Sequence, residues 1–192
     1  MTKRLVIAAT GASGAIYLNR LLRYLSNADV EMHLILSGYA KQVVHEEIGK
    51  LTLPDGVIEY SDKPMNAPFA SGSTRFDAII IMPCSMGTVG RIAAGTSETL
   101  ILRRADFFLK ERRQLILVPR ETPWNLIHAR NVVTVMEAGA RVLPAMPSFY
   151  SRPGSIEELV DTVVWRVLDQ IGIAAPNACR WCEPGETDSS TS

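Results

Sequence analysis

The stretch from Arg4 to Ala15 limits the possible folds more than any other part of the chain. Leu5 to Ala9 is an apolar run too short for a helix and suited to a strand buried on both faces of a parallel sheet. Thr10, Gly11, Ala12, Ser13 and Gly14 then turn the chain, and Ala15-Ile16-Tyr17-Leu18 opens a helical pattern. A strand that runs through a small-residue turn into a helix presents unpaired N–H groups and the positive end of a helix dipole, which together attract an anion. The corner is therefore expected to seat a phosphorylated ligand; the plainer alternative is a tight strand-to-helix turn. The dinucleotide fingerprint G-x-G-x-x-G is not met, because Ser13 stands where its second glycine belongs. The second strand, residues 30–36, ends in Ser37-Gly38 and not in an acidic residue that would grip a ribose. A mononucleotide such as FMN suits this pattern better than NAD.

The alternation continues to the far end. Strands are expected at 4–9, 30–36, near 57–60, at 77–82, 114–118 and 140–144, and helices at 14–26, 39–49, 86–94, 97–112, 123–138 and 155–171. The last helix opens with Ser155-x-x-Glu158, a capping box. Residues 61–73 carry two prolines and read as a long functional loop. This order predicts a single α/β domain over residues 1–182, a Rossmann-like or flavodoxin-like doubly wound parallel sheet with ligands beyond the carboxyl ends of its strands. Residues 183–192 have nothing to bury and are expected to be disordered.

Twenty basic residues balance twenty acidic ones, so no global field favours nucleic acid or an anionic membrane. The apolar run after Lys3-Arg4 is too short for a signal peptide, and no segment approaches transmembrane length. Three cysteines without a disulfide framework point to a reducing cytoplasm. Cys179-Arg-Trp-Cys182 lacks a second ligand pair for zinc, and His33, His45 and His128 form no ligand spacing, so no metal is expected.

Several polar residues fall in apolar places. Glu47 lies on the stripe set by Ala40, Val43 and Val44, so it either faces a ligand or basic group or swings to solvent at the helix end. Pro83-Cys84-Ser85-Met86-Gly87-Thr88 is a second strand-to-helix turn, with Ser85 as N-cap and the N–H groups of residues 86–88 as an anion or flavin contact. Cys84 reads as a buried thiol in preference to a nucleophile, since no histidine partners it. Arg103 and Lys110 share a helix face with Phe107 between them and suit a phosphate site, in this chain or in a neighbouring subunit. In Val118-Pro-Arg-Glu-Thr-Pro-Trp124, Thr122 is the expected cap and Pro123 the first helical residue, which holds Arg120 and Glu121 at a strand's carboxyl end. The loop 146–153 presents the Tyr150 hydroxyl. In the last helix Ile156, Val160, Val163, Val167 and Ile171 are expected to face the core, with Arg166 on the rim beside Leu159. Trp165, on the polar face with Glu158 and Asp169, suggests a subunit contact.

Taken in order, Thr-Gly-Ala-Ser-Gly-Ala (10–15), Ala-Ser-Gly-Ser (70–73), Pro-Cys-Ser-Met-Gly-Thr (83–88), Leu-Lys-Glu-Arg-Arg (109–113), Pro-Arg-Glu-Thr-Pro (119–123) and Met-Pro-Ser-Phe-Tyr-x-Arg-Pro (146–153) resemble the UbiX-type flavin prenyltransferases from about residue 4 to Trp181. The resemblance implies transfer of a dimethylallyl group from dimethylallyl phosphate to reduced FMN without a metal, giving the prenylated flavin used by UbiD-type decarboxylases. It implies FMN against Gly11, Ala12, Ser13, Ser37, Ser85, Met86, Gly87, Thr88 and Arg120, with Ser13 orienting the N5 edge. Tyr150, Arg166 and Lys110 would hold dimethylallyl phosphate, with Arg103 near them and Trp181 closing over the site. Glu47 and Glu121 would be the acid/base carboxylates, and the assembly a homododecamer with sites between subunits. The chain departs from the family in two places. Gly87 stands where many relatives carry a lysine, and the segment between Glu47 and Ser71 is shorter than in many of them. Two rival functions are a non-catalytic FMN carrier and a flavin-dependent decarboxylase.

Overall fold

The computed structural model describes residues 2–63, 75–175 and 178. Six parallel strands form one sheet in the order β3-β2-β1-β4-β5-β6. They are β1 (Lys3–Ala9), β2 (Val30–Leu36), β3 (Ile58–Ser61), β4 (Ala78–Cys84), β5 (Gln114–Pro119) and β6 (Arg141–Val142). The helices are α1 (Ala15–Leu25), α2 (Gly38–Ile48), α3 (Met86–Ala93), α4 (Leu100–Lys110), α5 (Leu126–Glu137) and α6 (Ile156–Gln170).

The central strands are apolar from Leu5 in β1, throughout β4 and from Leu115 in β5, because helices cover both faces of the sheet there. Leu5, Ile7 and Ala9 of β1 point into a core shared with α1, α2 and α6. Val6 and Ala8 point into a second core, shared with α3, α4 and α5. Burying each large aliphatic side chain contributes about 1.5–3 kcal/mol, so β1 and β4 anchor the molecule. From β1 the chain winds outward to β2 and β3, then crosses back to β4 and continues to β6. The strand order therefore reverses between β1 and β4, and the crevice at such a reversal is where open α/β sheets bind ligands.

Three expectations are corrected. Pro123 does not start α5; Asn125 is its N-cap, accepting a bond from the His128 N–H at 2.8 Å, and Thr122-Pro123 stays outside. The expected strand at 140–144 shortens to Arg141–Val142 at the sheet edge, where one neighbour supplies all the ladder bonds. Ile156 is 69% exposed, because the first turn of α6 projects beyond the sheet; Val160, Val163, Val167 and Ile171 are buried as expected. Trp165 is half-buried against the first core, and its indole N–H donates to the Tyr24 hydroxyl at 3.0 Å. The capping box of α6 forms, with the Glu158 N–H bonded to Ser155 Oγ at 3.1 Å and the Glu158 carboxylate reaching back to the Gly154 N–H. Among the described residues no helix is long and apolar enough to cross a membrane. The expected loop at 61–73 falls mostly, and the tail at 183–192 wholly, outside the described residues, as do Cys179, Trp181 and Cys182.

Candidate active site

At the carboxyl ends of β2, β1 and β4 the chain leaves the sheet through three turns that together surround a cleft of about 830 Å³. Gly11, Ser37, Ser85 and Thr88, all expected from the sequence to bind the ligand, line it. Each turn has a physical reason for its residues. Ser37 caps α2 by accepting from the Ala40 N–H at 3.1 Å, and Ser85 caps α3 by accepting from the Thr88 N–H at 3.3 Å. With those bonds made, the remaining first-turn N–H groups of both helices are available to a ligand. Thr10 ties β1 to β4, its hydroxyl oxygen accepting from the Ser85 N–H at 2.8 Å. Gly11 is required by close approach, since a Cβ there would stand 2.5 Å from the Tyr39 Cβ.

The N-terminus of α1 departs from the expectation. Its free N–H groups do not await a phosphate, because Glu47 fills the seat. Its carboxylate accepts from the Gly14 N–H at 2.8 Å and the Ala15 N–H at 2.7 Å. Glu47 is thus not sunk in the core; an exposed residue, it reaches from α2 to cap α1. Burial pushes this carboxyl up, yet the Ser13 hydroxyl, the Ala15 and Gly14 N–H groups and the Arg120 charge together outweigh it and hold the group below its ordinary value. An ionised carboxylate can only accept, so Ser13 donates its proton to Glu47 and turns its lone pairs elsewhere. Arg120 completes the cluster, its Nε donating to the Ser13 carbonyl at 3.0 Å. The two carboxylates and the arginine expected at this corner therefore have distinct positions. Glu47 is locked, Arg120 is half-buried beside it, and Glu121 is exposed, its carboxylate accepting from the Thr122 N–H at 3.2 Å.

Other expected groups lie further off. Met86 is buried in the second core and does not line the cleft. Cys84 is fully buried and burial pushes its thiol up to about 12, which suits an inert side chain. Arg103 and Lys110 are exposed on α4, where the buried arginine is Arg104, seated among Phe76, Phe107 and Phe108. Lys110 lies about 15 Å along α4 from its first turn, toward the amino edge of the sheet. Tyr150 is about half exposed after β6, and Arg166 projects from α6 with Asp169 3.4 Å away. Since α4 and α6 cover opposite faces, one chain does not bring Arg103 and Lys110 to Tyr150 and Arg166.

Sequence reasoning missed Tyr39, Gln42, Asp62, Arg91 and Thr99, which also line the cleft. Asp62 and Thr99 jointly start α4, the Asp62 carboxylate accepting from the Ile101 N–H at 2.9 Å and Thr99 from the Leu102 N–H at 3.3 Å. Thr99 was legible as a capping residue ahead of an apolar run, whereas Asp62 follows an edge strand and gave no local signal.

Fold and cleft together define a mononucleotide-binding α/β protein of flavodoxin-like architecture. The model of the flavoprotein family matches residues 1–168. A probable UbiX-like flavin prenyltransferase of Bacillus subtilis is 44% identical over 182 residues, covering 93% of this chain and 89% of its own. The crystal structure of AnUbiX (PadA1) in complex with FMN and dimethylallyl pyrophosphate superposes with a TM-score of 0.90 at 41% identity, covering 94% of this chain and 98% of its own. A dodecameric FMN-dependent UbiX-like decarboxylase from Escherichia coli O157:H7 gives a TM-score of 0.88 at 39% identity, covering 93% and 98%. The chain belongs to the flavoprotein family, among its UbiX-type flavin prenyltransferases.

Proposed function

We propose that this chain transfers a dimethylallyl group from dimethylallyl phosphate to reduced FMN, and that the prenylated flavin passes to a UbiD-type decarboxylase in the cytoplasm. The observation that carries the reading is the cluster of Ser13, Glu47 and Arg120, built on the same turn whose Thr10 and Gly11 line a nucleotide-sized cleft. FMN fits this cleft, whose small residues let a ring approach the backbone and whose helix N-termini suit a phosphate. When bound and reduced, FMN supplies the nucleophilic ring atoms. Ser13, its proton committed to Glu47, presents an oxygen that accepts from a ring N–H. Glu47 stays ionised and fixes that orientation, which leaves Glu121, exposed and held by the neighbouring Thr122 N–H, as the side chain to take up a proton. Tyr150 and Arg166 hold the isoprenyl phosphate, and Arg103 and Lys110 reach it from a neighbouring subunit, so that cations meet the charge growing on the leaving group.

The separation of these groups within one chain favours a second reading, an FMN carrier without catalysis. Release of inorganic phosphate from dimethylallyl phosphate under anaerobic conditions separates the two. A transferase releases phosphate only when reduced FMN is present and in proportion to it, whereas a carrier releases none. Glu121→Gln is expected to release phosphate once and then stall before the finished flavin appears; full turnover by that variant would remove Glu121 from the mechanism.

A further inference from the structure

We infer that Arg91 reads the phosphate of the bound flavin, and that Gly87 is the gap through which it does so; the inference rests on the flavin reading of the cleft. Arg91 lies one helical turn beyond Gly87 on α3, and side chains on a helix lean back toward its N-terminus. Its guanidinium does so here. A Cβ built on Gly87 would stand 3.9 Å from an Arg91 terminal nitrogen and 4.0 Å from Ser85 Oγ. The cation therefore lies over the bare backbone of Gly87, close to the first turn of α3. A longer side chain at position 87 would occupy that space.

Arg91 is the one cation among the described residues that line the cleft. Its guanidinium takes part in no salt bridge among them. Two acids share the cleft, Asp62 and Glu98. Asp62 is committed to starting α4, with its carboxylate on the Ile101 N–H, and Arg91 acts on it only as a more distant charge. The remaining groups at this end of the cleft are the first turns of α2 and α3, capped by Ser37 and Ser85. Helix N-termini supply partial positive charge, whereas a phosphate monoester carries close to two negative charges; a guanidinium beside them supplies a full charge and a planar pair of donors. The isoprenyl phosphate is the poorer candidate for this cation, because Tyr150 and Arg166 lie with α6 on the opposite face of the sheet.

Riboflavin, which is FMN without the phosphate, provides the test. Dissociation constants for FMN and riboflavin are measured by fluorescence quenching for the wild type, Arg91→Ala, Arg91→Lys and Gly87→Leu, with thermal melts to confirm folding. Arg91→Ala should weaken FMN roughly 10- to 100-fold and leave riboflavin nearly unchanged. Arg91→Lys should recover part of that loss, and Gly87→Leu, by displacing the guanidinium, should reproduce it. Equal effects on both ligands, or no effect on FMN, would overturn the role of Arg91 while leaving the cleft a flavin site. A wild-type chain that bound neither flavin would overturn the flavin reading and this inference with it. Should Arg91→Ala fail to fold, the FMN-to-riboflavin ratio in the other two variants decides the matter.

Discussion

Glu47 caps a helix other than its own, so its loss is felt in two elements at once. Glu47→Gln keeps the shape and removes the charge, and should lower stability by about 1 kcal/mol in denaturant titration. Asp161 matters more. It is 3% exposed and accepts from Arg20 Nε at 2.7 Å and from the Tyr24 hydroxyl at 2.9 Å, pinning α6 to α1. Asp161→Ala strands a half-sheltered guanidinium and should cost about 3 kcal/mol, read from the denaturation midpoint. Glu31 sets a pH dependence. Bonds from Arg4 and then His33 hold its carboxyl at about 2, below the ordinary 4.5. Its stabilisation is therefore complete above about pH 4.5 and is lost as pH falls through about 2. Glu31→Gln should lower the melting temperature at neutral pH and flatten the acid limb over that window; an unchanged limb would show that the pair contributes nothing. Of these residues only Glu47 was visible beforehand, as a carboxylate on an apolar stripe. Asp161 sat on a face that read as polar, and its partner Arg20 lies 141 residues away. No local pattern carries such a pairing.

Elements were far more legible, for a physical reason. A strand buried on both faces must be apolar throughout, and a helix covering it must be apolar on one side, so β1, β2, β4, β5 and their helices declare themselves within a few residues. Their ends are set by single hydrogen bonds, and there the sequence offered competing caps. Thr122-Pro123 had the composition of a helix start, but Asn125 has the extended backbone and the oxygen on the His128 N–H. Asn125→Ala should therefore cost about 1 kcal/mol of stability. Thr122→Ala should cost much less, and the reverse ranking in thermal melts would restore the earlier assignment. The cleft follows the same division. Its glycine and serine turns were legible because the strand-to-helix corners were, while Asp62 and Arg91 arrive from an edge strand and from deeper in a helix.

At the scale of the whole molecule, the surface of one chain is incomplete. Leu126, Ile127, Val133 and Met136 of α5 are each more than half exposed, and only Val135 of that helix is buried. An apolar face of this kind suits contact with a second copy of the chain, and the relative from Escherichia coli is dodecameric. Cations on α4 and the Tyr150–Arg166 pair would then meet across an interface. This gives a complementation test. Chains carrying Lys110→Ala and chains carrying Arg166→Ala, each inactive alone, should regain activity when assembled together, because some sites then draw both intact groups from different copies. A mixture no more active than its parents would mean that both groups serve the same chain. Beneath all of this lies the claim that the cleft joins an isoprenyl group to a flavin. It is tested most directly by the mass of the flavin recovered after anaerobic incubation with reduced FMN and dimethylallyl phosphate. The account predicts a flavin heavier by one dimethylallyl group; recovery of unmodified FMN alone would contradict it.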